Sequence, residues 1–320
     1  MQMRTLGRLW PVSALTLGGG GLGQVWGPTT RDEAVATVRE AVDAGITLVD
    51  VAPTYGDGEA ERVVGDAFGG RLPPGVRVVT KHGLGNADPN DVVGRLERSL
   101  DASLERMRLS VVDLFLLHNP IVPGDEPPGG ANTPVALFEE VVRPAFERLV
   151  AQGRIGAWGI TAVRVPEALL RVLAQDPVPG AAQCIANLLD SPGDMGFDEP
   201  ARPREIIAAA HGRGVGVMGI RAVQAGALTD GLDRDLPDDH PAMIDFRRAE
   251  PFRALARESG ESAASLAHRY ALSMSGVDTV VLGVKNRAEL LDCLEAEARG
   301  PLSPDVIEAI DALARGADRP

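Results

Sequence analysis

Eight short apolar runs recur along this chain, each followed by an amphipathic stretch long enough for a helix, and this alternation constrains the fold more than any other feature. The runs are SALTL (13–17), ITLVD (46–50), VRVVT (76–80), VVDLFLL (111–117), IGAWGI (155–160), AAQCI (181–185), VGVMGI (215–220) and DTVVLG (278–283). Helices are expected to start near Thr30, Glu59, Pro89, Pro134, Pro166, Arg202, Pro251 and Arg287. Several carry proline in the first turn, where its missing N–H costs nothing. Gly45, Gly153 and Gly214 stand where a helix ends and the next strand begins, a position that favours left-handed backbone. Such alternation specifies βα units and a parallel sheet. Eight of them make a (β/α)8, or TIM, barrel.

The chain has 320 residues, 44% of them hydrophobic, enough for one large core. No composition break marks a linker, so a single domain spanning 1–320 is expected. Three connections are too long for plain turns: Asn119 to Thr133, Leu189 to Pro203, and Thr229 to Glu250. They follow the fourth, sixth and seventh strands, on the face where barrel chemistry gathers, and are expected to shape a substrate pocket. Trp26, Phe197 and Phe246 are the candidate aromatic walls.

A net charge of −13 argues against nucleic acid or an anionic membrane as a partner, because both select basic surface. The opening MQMRTLGRLW has no apolar signal-peptide core and no run is long enough to span a bilayer, so a cytoplasmic protein is expected. Its two cysteines, Cys184 and Cys293, read as buried thiols rather than a disulfide.

Four residue types suited to carbonyl chemistry sit at or just past the ends of successive strands: Asp50, Tyr55, Lys81 and His118. A tyrosine with a pKa of about 10 is a poor acid near neutrality. A neighbouring ammonium stabilises its phenolate, and a carboxylate fixes the ammonium. An imidazole can orient a carbonyl or join a proton relay. Each residue alone has a plain structural reading as turn residue, loop aromatic, surface cation or core histidine; the joint placement is what points to catalysis. Nothing in the set attacks covalently, which suits proton transfer coupled to hydride transfer. Asp113, inside its strand, reads as structural.

These residues carry a resemblance. Asp50-Val-Ala-Pro-Thr-Tyr55-Gly56 with Glu61 and Gly65, Lys81 after the third strand, and Val112 through Pro120 around His118 resemble the aldo-keto reductases. The likeness continues through Gly153-Arg154-Ile155, Gly159-Ile160-Thr161, Gln183, Gly226-Ala227-Leu228 and Gly283-Val284-Lys285-Asn286, covering nearly the whole chain in order. It implies an NAD(P)(H)-dependent oxidoreductase that interconverts an aldehyde, ketone or sugar carbonyl and its alcohol, with Asp50, Tyr55, Lys81 and His118 as the catalytic tetrad.

The resemblance also implies a nicotinamide cofactor lying across the carboxyl end of the barrel. Gly21 and Leu22 of the glycine-rich first loop, Asp50, Thr161, Gln183, Ile220, Arg221, Gly283, Lys285, Asn286 and Glu289 are the candidate cofactor residues, with Trp26 and Asn119 facing substrate. The run Gly18 to Gly23 lacks the acidic ribose reader of a dinucleotide fingerprint and reads instead as backbone that must be approached closely. Several positions depart from the family's pattern. Ala162 replaces an amide, Ile220 falls where an aromatic ring usually stacks, Cys293 stands where an adenine-binding Asn is common, and Glu289 stands where Arg or His is frequent. Arg221 either contacts a pyrophosphate or pairs with a loop carboxylate. Lys285 and Arg287 near a helix N-terminus favour NADP(H) over NAD(H), while Glu289 opposes a 2′-phosphate. No metal site is expected. The competing functions are a non-catalytic, cofactor-binding regulatory barrel like the channel-associated subunits that resemble this family, and an aldolase or isomerase using Lys81 as a Schiff-base amine.

Overall fold

The computed structural model of the chain describes residues 1–84, 88–124, 132–195, 200–232 and 234–317. Eight parallel strands close into a barrel: β1 (Leu15–Gly18), β2 (Leu48–Asp50), β3 (Arg77–His82), β4 (Val112–Leu117), β5 (Ile155–Ala162), β6 (Ala181–Ile185), β7 (Gly216–Ile220) and β8 (Thr279–Leu282). Each strand pairs with its sequence neighbours, and β8 pairs with β1, through Val280 opposite Leu15, to complete the ring. All eight expected runs are strands, and the fold is the (β/α)8 barrel.

The principal outer helices are α1 (Arg31–Asp43), α2 (Glu59–Phe68), α3 (Val92–Met107), α4 (Arg143–Ala151), α5 (Pro166–Ala174), α6 (Pro203–Gly212), α7 (Ala263–Ser273) and α8 (Arg287–Ala298). Their starts follow local chemistry. The Thr30 side chain accepts from the N–H of Glu33 at α1, Asn286 does the same for Glu289 at α8, and proline occupies the first turn of α5 and α6. Gly45, at φ +94°, ends the turn after α1 in a conformation a β-carbon would strain.

Inward- and outward-facing residues alternate along every strand. Leu48, Val79, Leu114, Leu116, Ala157, Ala181 and Met218 fill the barrel interior, and the facing hydroxyls of Thr16 and Thr279 hydrogen-bond at 2.7 Å. The larger apolar layer lies between strands and helices.

Three additions were not expected from the sequence. A hairpin of Met3–Thr5 and Pro11–Ser13 seals the lower end, with Leu6 and Val12 in the interior cluster. The connection after β7 holds a helix, Pro241–Arg248, before a second one, Glu250–Glu258. That first helix exists because His240 caps it and its Asp245 is buried against Ser191 (2.5 Å) and Gln224 (2.8 Å). Its Pro241 is a local start signal of the kind seen at α5 and α6, whereas the partners that fix Asp245 come from two distant segments, at Ser191 and Gln224. A last helix, Pro304–Ala317, is held by Tyr270, whose hydroxyl bonds Asp311 and accepts from Arg204 at 2.6 Å. One of the chain's two tyrosines is thereby structural.

The connections after β4 and β6 contain stretches outside the described residues, and Phe197 lies in one of them. Both cysteines are free and buried. Among the described residues no helix is long and apolar enough to cross a membrane.

Candidate active site

A constant stagger assembles the central cluster. Asp50 at the end of β2 registers with Val79 on β3, and two residues further is Lys81; Lys81 registers with Leu116 on β4, and two further is His118. A step of two keeps side chains on one face of a strand, so all three point into the barrel mouth. Tyr55 comes from the loop after β2.

The geometry centres on Lys81, which is 0% exposed. Its ammonium donates to Asp50 Oδ2 at 2.9 Å, to the Val51 carbonyl at 3.0 Å and to the Tyr55 hydroxyl at 3.2 Å. Three donors have three acceptors, so the nitrogen is fixed. The Tyr55 ring lies edge-on to His118 with centroids 5.8 Å apart. Glu61 supports the arrangement from outside, accepting from Thr80 Oγ1 at 2.6 Å and from Arg106 Nε at 2.5 Å, which ties α2 to β3 beside Lys81 and to α3. Asp113 accepts from the Val78 N–H at 2.9 Å, a strand-to-strand brace.

Burial sets the electrostatics. It pushes the Asp50 carboxyl above its usual range against the pull of Lys81 and Gln183. Burial acts to lower Lys81, but Asp50 and Tyr55 outweigh it and hold the ammonium above its ordinary value. For Tyr55, burial raises the phenol and Lys81 only partly offsets it, leaving the pKa above that of free tyrosine. The expectation that the ammonium lowers the phenol holds for that one contribution and not for the net direction. Burial, with Lys81 and His82 nearby, drives His118 down to about 3, so its imidazole is neutral at ordinary pH.

Beside the cluster, Gln183 on β6 donates to Asp50 Oδ2 at 3.0 Å and registers with Thr161 on β5. Among the described residues, Asp50 Oδ1 and Thr161 Oγ1 are buried without a hydrogen-bond partner. Such orphans are costly and uncommon. Gln183 neighbours both, Asp50 by hydrogen bond and Thr161 by strand register, so the three offer a carboxamide a hydroxyl, a carboxylate oxygen and an amide, and the residues present fit a nicotinamide ring.

The glycine-rich first loop forms a helical turn, Gly19–Leu22, enclosed by its neighbours. A β-carbon on Gly21 would lie 1.9 Å from the Val284 carbonyl oxygen, one on Gly20 2.6 Å from the Trp26 indole nitrogen, and one on Gly23 2.6 Å from the Tyr55 backbone. The glycines therefore let the first loop press against the second and eighth. Trp26 stands over Gly20 and Gly283.

The remaining candidates divide. Asn119 is buried, its side-chain oxygen accepting from the Leu84 N–H, which holds the loop after β3. Phe246 stacks on the Arg253 guanidinium at 3.8 Å, a contact within the loop's own packing. Ile220 ends β7, registered with Ile185. Arg221 follows with φ +61° and pairs with Asp194 at 2.5 Å, the loop-carboxylate alternative. Gln224 and Ala225 also have positive φ, so this connection is strained at several non-glycine positions. Cys293 is buried with its sulfur 3.7 Å from His268 Nε2. Lys285, Asn286 and Glu289 meet at the start of α8, where Glu289 accepts from the Lys285 N–H at 2.9 Å.

Sequence reasoning missed two groups near this face. His82, at the end of β3, is half-buried, its Nε2 has no partner among the described residues, and burial together with Arg95 lowers it to about 4. Glu33 on α1 reaches Arg287 on α8. Thr30-x-x-Glu33 could be recognised as a capping box, but nothing local indicates a partner 254 residues away.

The model of the aldo/keto reductase family matches residues 14–315. L-galactose dehydrogenase of Arabidopsis thaliana is 28% identical over 294 residues, covering 91% of this chain and 86% of that protein. A rice protein described as a probable voltage-gated potassium channel subunit beta is 26% identical over 305 residues, covering 88% and 87%. A glycerol dehydrogenase from Gluconobacter oxydans superposes with a TM-score of 0.74 at 24% identity, over 99% of this chain and 96% of that one.

Proposed function

Because the chain belongs to the aldo/keto reductase family, we propose that it is a working oxidoreductase of CH–OH and C=O groups in which Tyr55 is the general acid and base. When bound, a nicotinamide dinucleotide supplies or accepts the hydride. Tyr55 donates its hydroxyl proton to the carbonyl oxygen in reduction and takes it back in oxidation. The Lys81 ammonium, 3.2 Å from that hydroxyl, stabilises the phenolate as it forms. Asp50 holds Lys81 in place and keeps it charged. His118, neutral through burial, donates a hydrogen bond that orients the carbonyl without competing for the proton.

The observation that carries this reading is the buried ion pair Lys81–Asp50 aimed at a tyrosine hydroxyl. A buried pair is a poor source of stability, and the second carboxylate oxygen of this one, Asp50 Oδ1, has no partner among the described residues. A purely regulatory barrel needs no such proton relay. The likeness to L-galactose dehydrogenase favours a polyhydroxylated carbonyl or alcohol, a sugar or polyol, as the substrate class. Cofactor residues proposed on the same basis are Thr161, Gln183 and Asp50 for the carboxamide, Gly21 and Leu22 for close approach, and Gly283, Lys285 and Asn286 for the adenosine end.

The test is a panel of aldehydes, ketones, aldoses and polyols assayed by nicotinamide absorbance with parent and Tyr55→Phe protein. Turnover that requires the Tyr55 hydroxyl supports the reading. Turnover unchanged in the variant removes Tyr55 from its role, and dinucleotide binding without turnover across the panel favours the regulatory barrel.

A further inference from the structure

The start of α8 has the ingredients of an anion site: two cations, Lys285 and Arg287, and backbone N–H groups at a helix N-terminus. In this chain the protein's own carboxylates already occupy them. Glu289 Oε2 accepts from the Lys285 N–H at 2.9 Å, and Glu289 Oε1 lies 3.4 Å from the Lys285 ammonium. Glu33 Oε1 accepts from the Arg287 N–H at 3.0 Å and from Arg287 Nε at 3.1 Å, while Oε2 accepts from Nη2 at 3.0 Å. Asn286 Oδ1 takes the Glu289 N–H at 2.9 Å. Glu40 Oε2 stands a further 4.0 Å from Arg287 Nε.

We propose that Glu33 and Glu289 act as built-in counter-anions that exclude a 2′-phosphate, so that the protein selects NAD(H) over NADP(H). The proposal rests on the dinucleotide reading above, with the adenosine end at the eighth loop. Lys285 and Arg287 face three carboxylates, Glu33, Glu40 and Glu289, so the neighbourhood is anionic before any ligand arrives. A phosphate monoester carrying about −1.5 to −2 charges would have to displace Glu33 from a two-pronged guanidinium contact and Glu289 from a backbone N–H. It would then lie beside the carboxylates it displaced. A ribose 2′-hydroxyl brings no charge and donates to a carboxylate, the logic by which acidic residues mark NAD sites.

The clamp is also held from the other side. Thr29 Oγ1 donates to the Lys285 carbonyl at 2.9 Å, and Thr30 caps the helix that carries Glu33. Glu33 is thus presented to Arg287 by a fixed helix start rather than a loose loop. Counting Lys285 and Arg287 as available for phosphate, as the sequence invites, overlooks a partner supplied from the far end of the chain. Glu33 is a positioning residue for specificity: it acts by holding Arg287.

The experiment measures dissociation constants of NADH and NADPH by fluorescence titration of the full chain, and of AMP and 2′,5′-ADP by calorimetry, for parent, E33Q, E289Q and the double variant. Glutamine keeps size and an acceptor but removes charge. The expected result is that the parent binds NADH at least tenfold more tightly than NADPH, and that the double variant improves NADPH and 2′,5′-ADP binding at least tenfold while NADH and AMP change little. A parent that binds NADPH more tightly, or a double variant with an unchanged NADPH-to-NADH ratio, overturns the inference and leaves the oxidoreductase reading standing. Binding of neither dinucleotide overturns both.

Discussion

The two ends of the barrel use the same residue types and account for them in opposite ways. At the lower end Asp278 Oδ2 accepts from the Gly7 and Val217 N–H groups, both at 2.9 Å, Asp113 accepts from Val78, and Thr16 pairs with Thr279. At the upper end, among the described residues, Asp50 keeps one oxygen without a partner, Thr161 Oγ1 has none, and Lys81 is buried as a cation. Buried polar groups closed within the protein rigidify a fold; those left open cost free energy that the hydrogen bonds of a ligand or an ordered water return. The lower end is therefore read as stability and the upper end as binding and chemistry.

If that contrast is sound, substitutions at the two ends separate activity from stability. Tyr55→Phe should lower turnover about 10²- to 10⁴-fold, the contribution of a general acid, with dinucleotide affinity and melting temperature close to the parent's. Steady-state kinetics beside a thermal melt checks this, and a comparable fall in melting temperature would blur the two ends. Lys81→Met should cost both. Removing one member of a buried ion pair destabilises by about 3–5 kcal/mol, and the alkaline limb of the pH–rate profile should move to higher pH because phenolate loses its cation. A limb that stays in place while the rate falls assigns Lys81 to packing alone.

Asp278→Ala probes the lower end. It strips two backbone N–H groups of their acceptor, and each unsatisfied donor costs about 1–3 kcal/mol when buried. Urea titration should show that loss with kcat and KM unchanged; a kinetic defect would mean the lower end is not merely a plug.

The smallest effect is in pH. His82, lowered to about 4, and His118, lowered to about 3, stay neutral in the folded protein but take up protons in the unfolded chain below about 6.5. The unfolded state then binds more protons, so stability falls as pH drops from about 6.5 toward 4 and 3. His82→Gln should show a smaller loss of melting temperature between pH 7 and 5 than the parent. An identical loss would place the acid sensitivity elsewhere.

Much of the upper end was legible in the chain. Asp50, Lys81 and His118 close successive strands, and the stagger of a parallel barrel brings residues two past the register position to one point. Chain order and period were sufficient there because each strand meets the next one in sequence. The reading weakened wherever the partner was distant. Arg221 was legible as a cation but not its pairing with Asp194, and Asn119 as a polar residue beside His118 but not its hold on Leu84. The glycine run was legible as a close approach, while the neighbours that make it close, Val284 and the Tyr55 backbone, were not.

The sequence by itself determined the eightfold alternation, the residues that end each strand, and hence the barrel and its candidate tetrad, because hydrophobic period and turn chemistry are local properties. Only the tertiary structure decided the net direction of each ionisation and the company each charge keeps. Burial depth raised Tyr55 despite Lys81, and Glu33 claimed Arg287 across 254 residues. Those outcomes depend on dielectric and on distance in space, which the order of residues along a chain does not record.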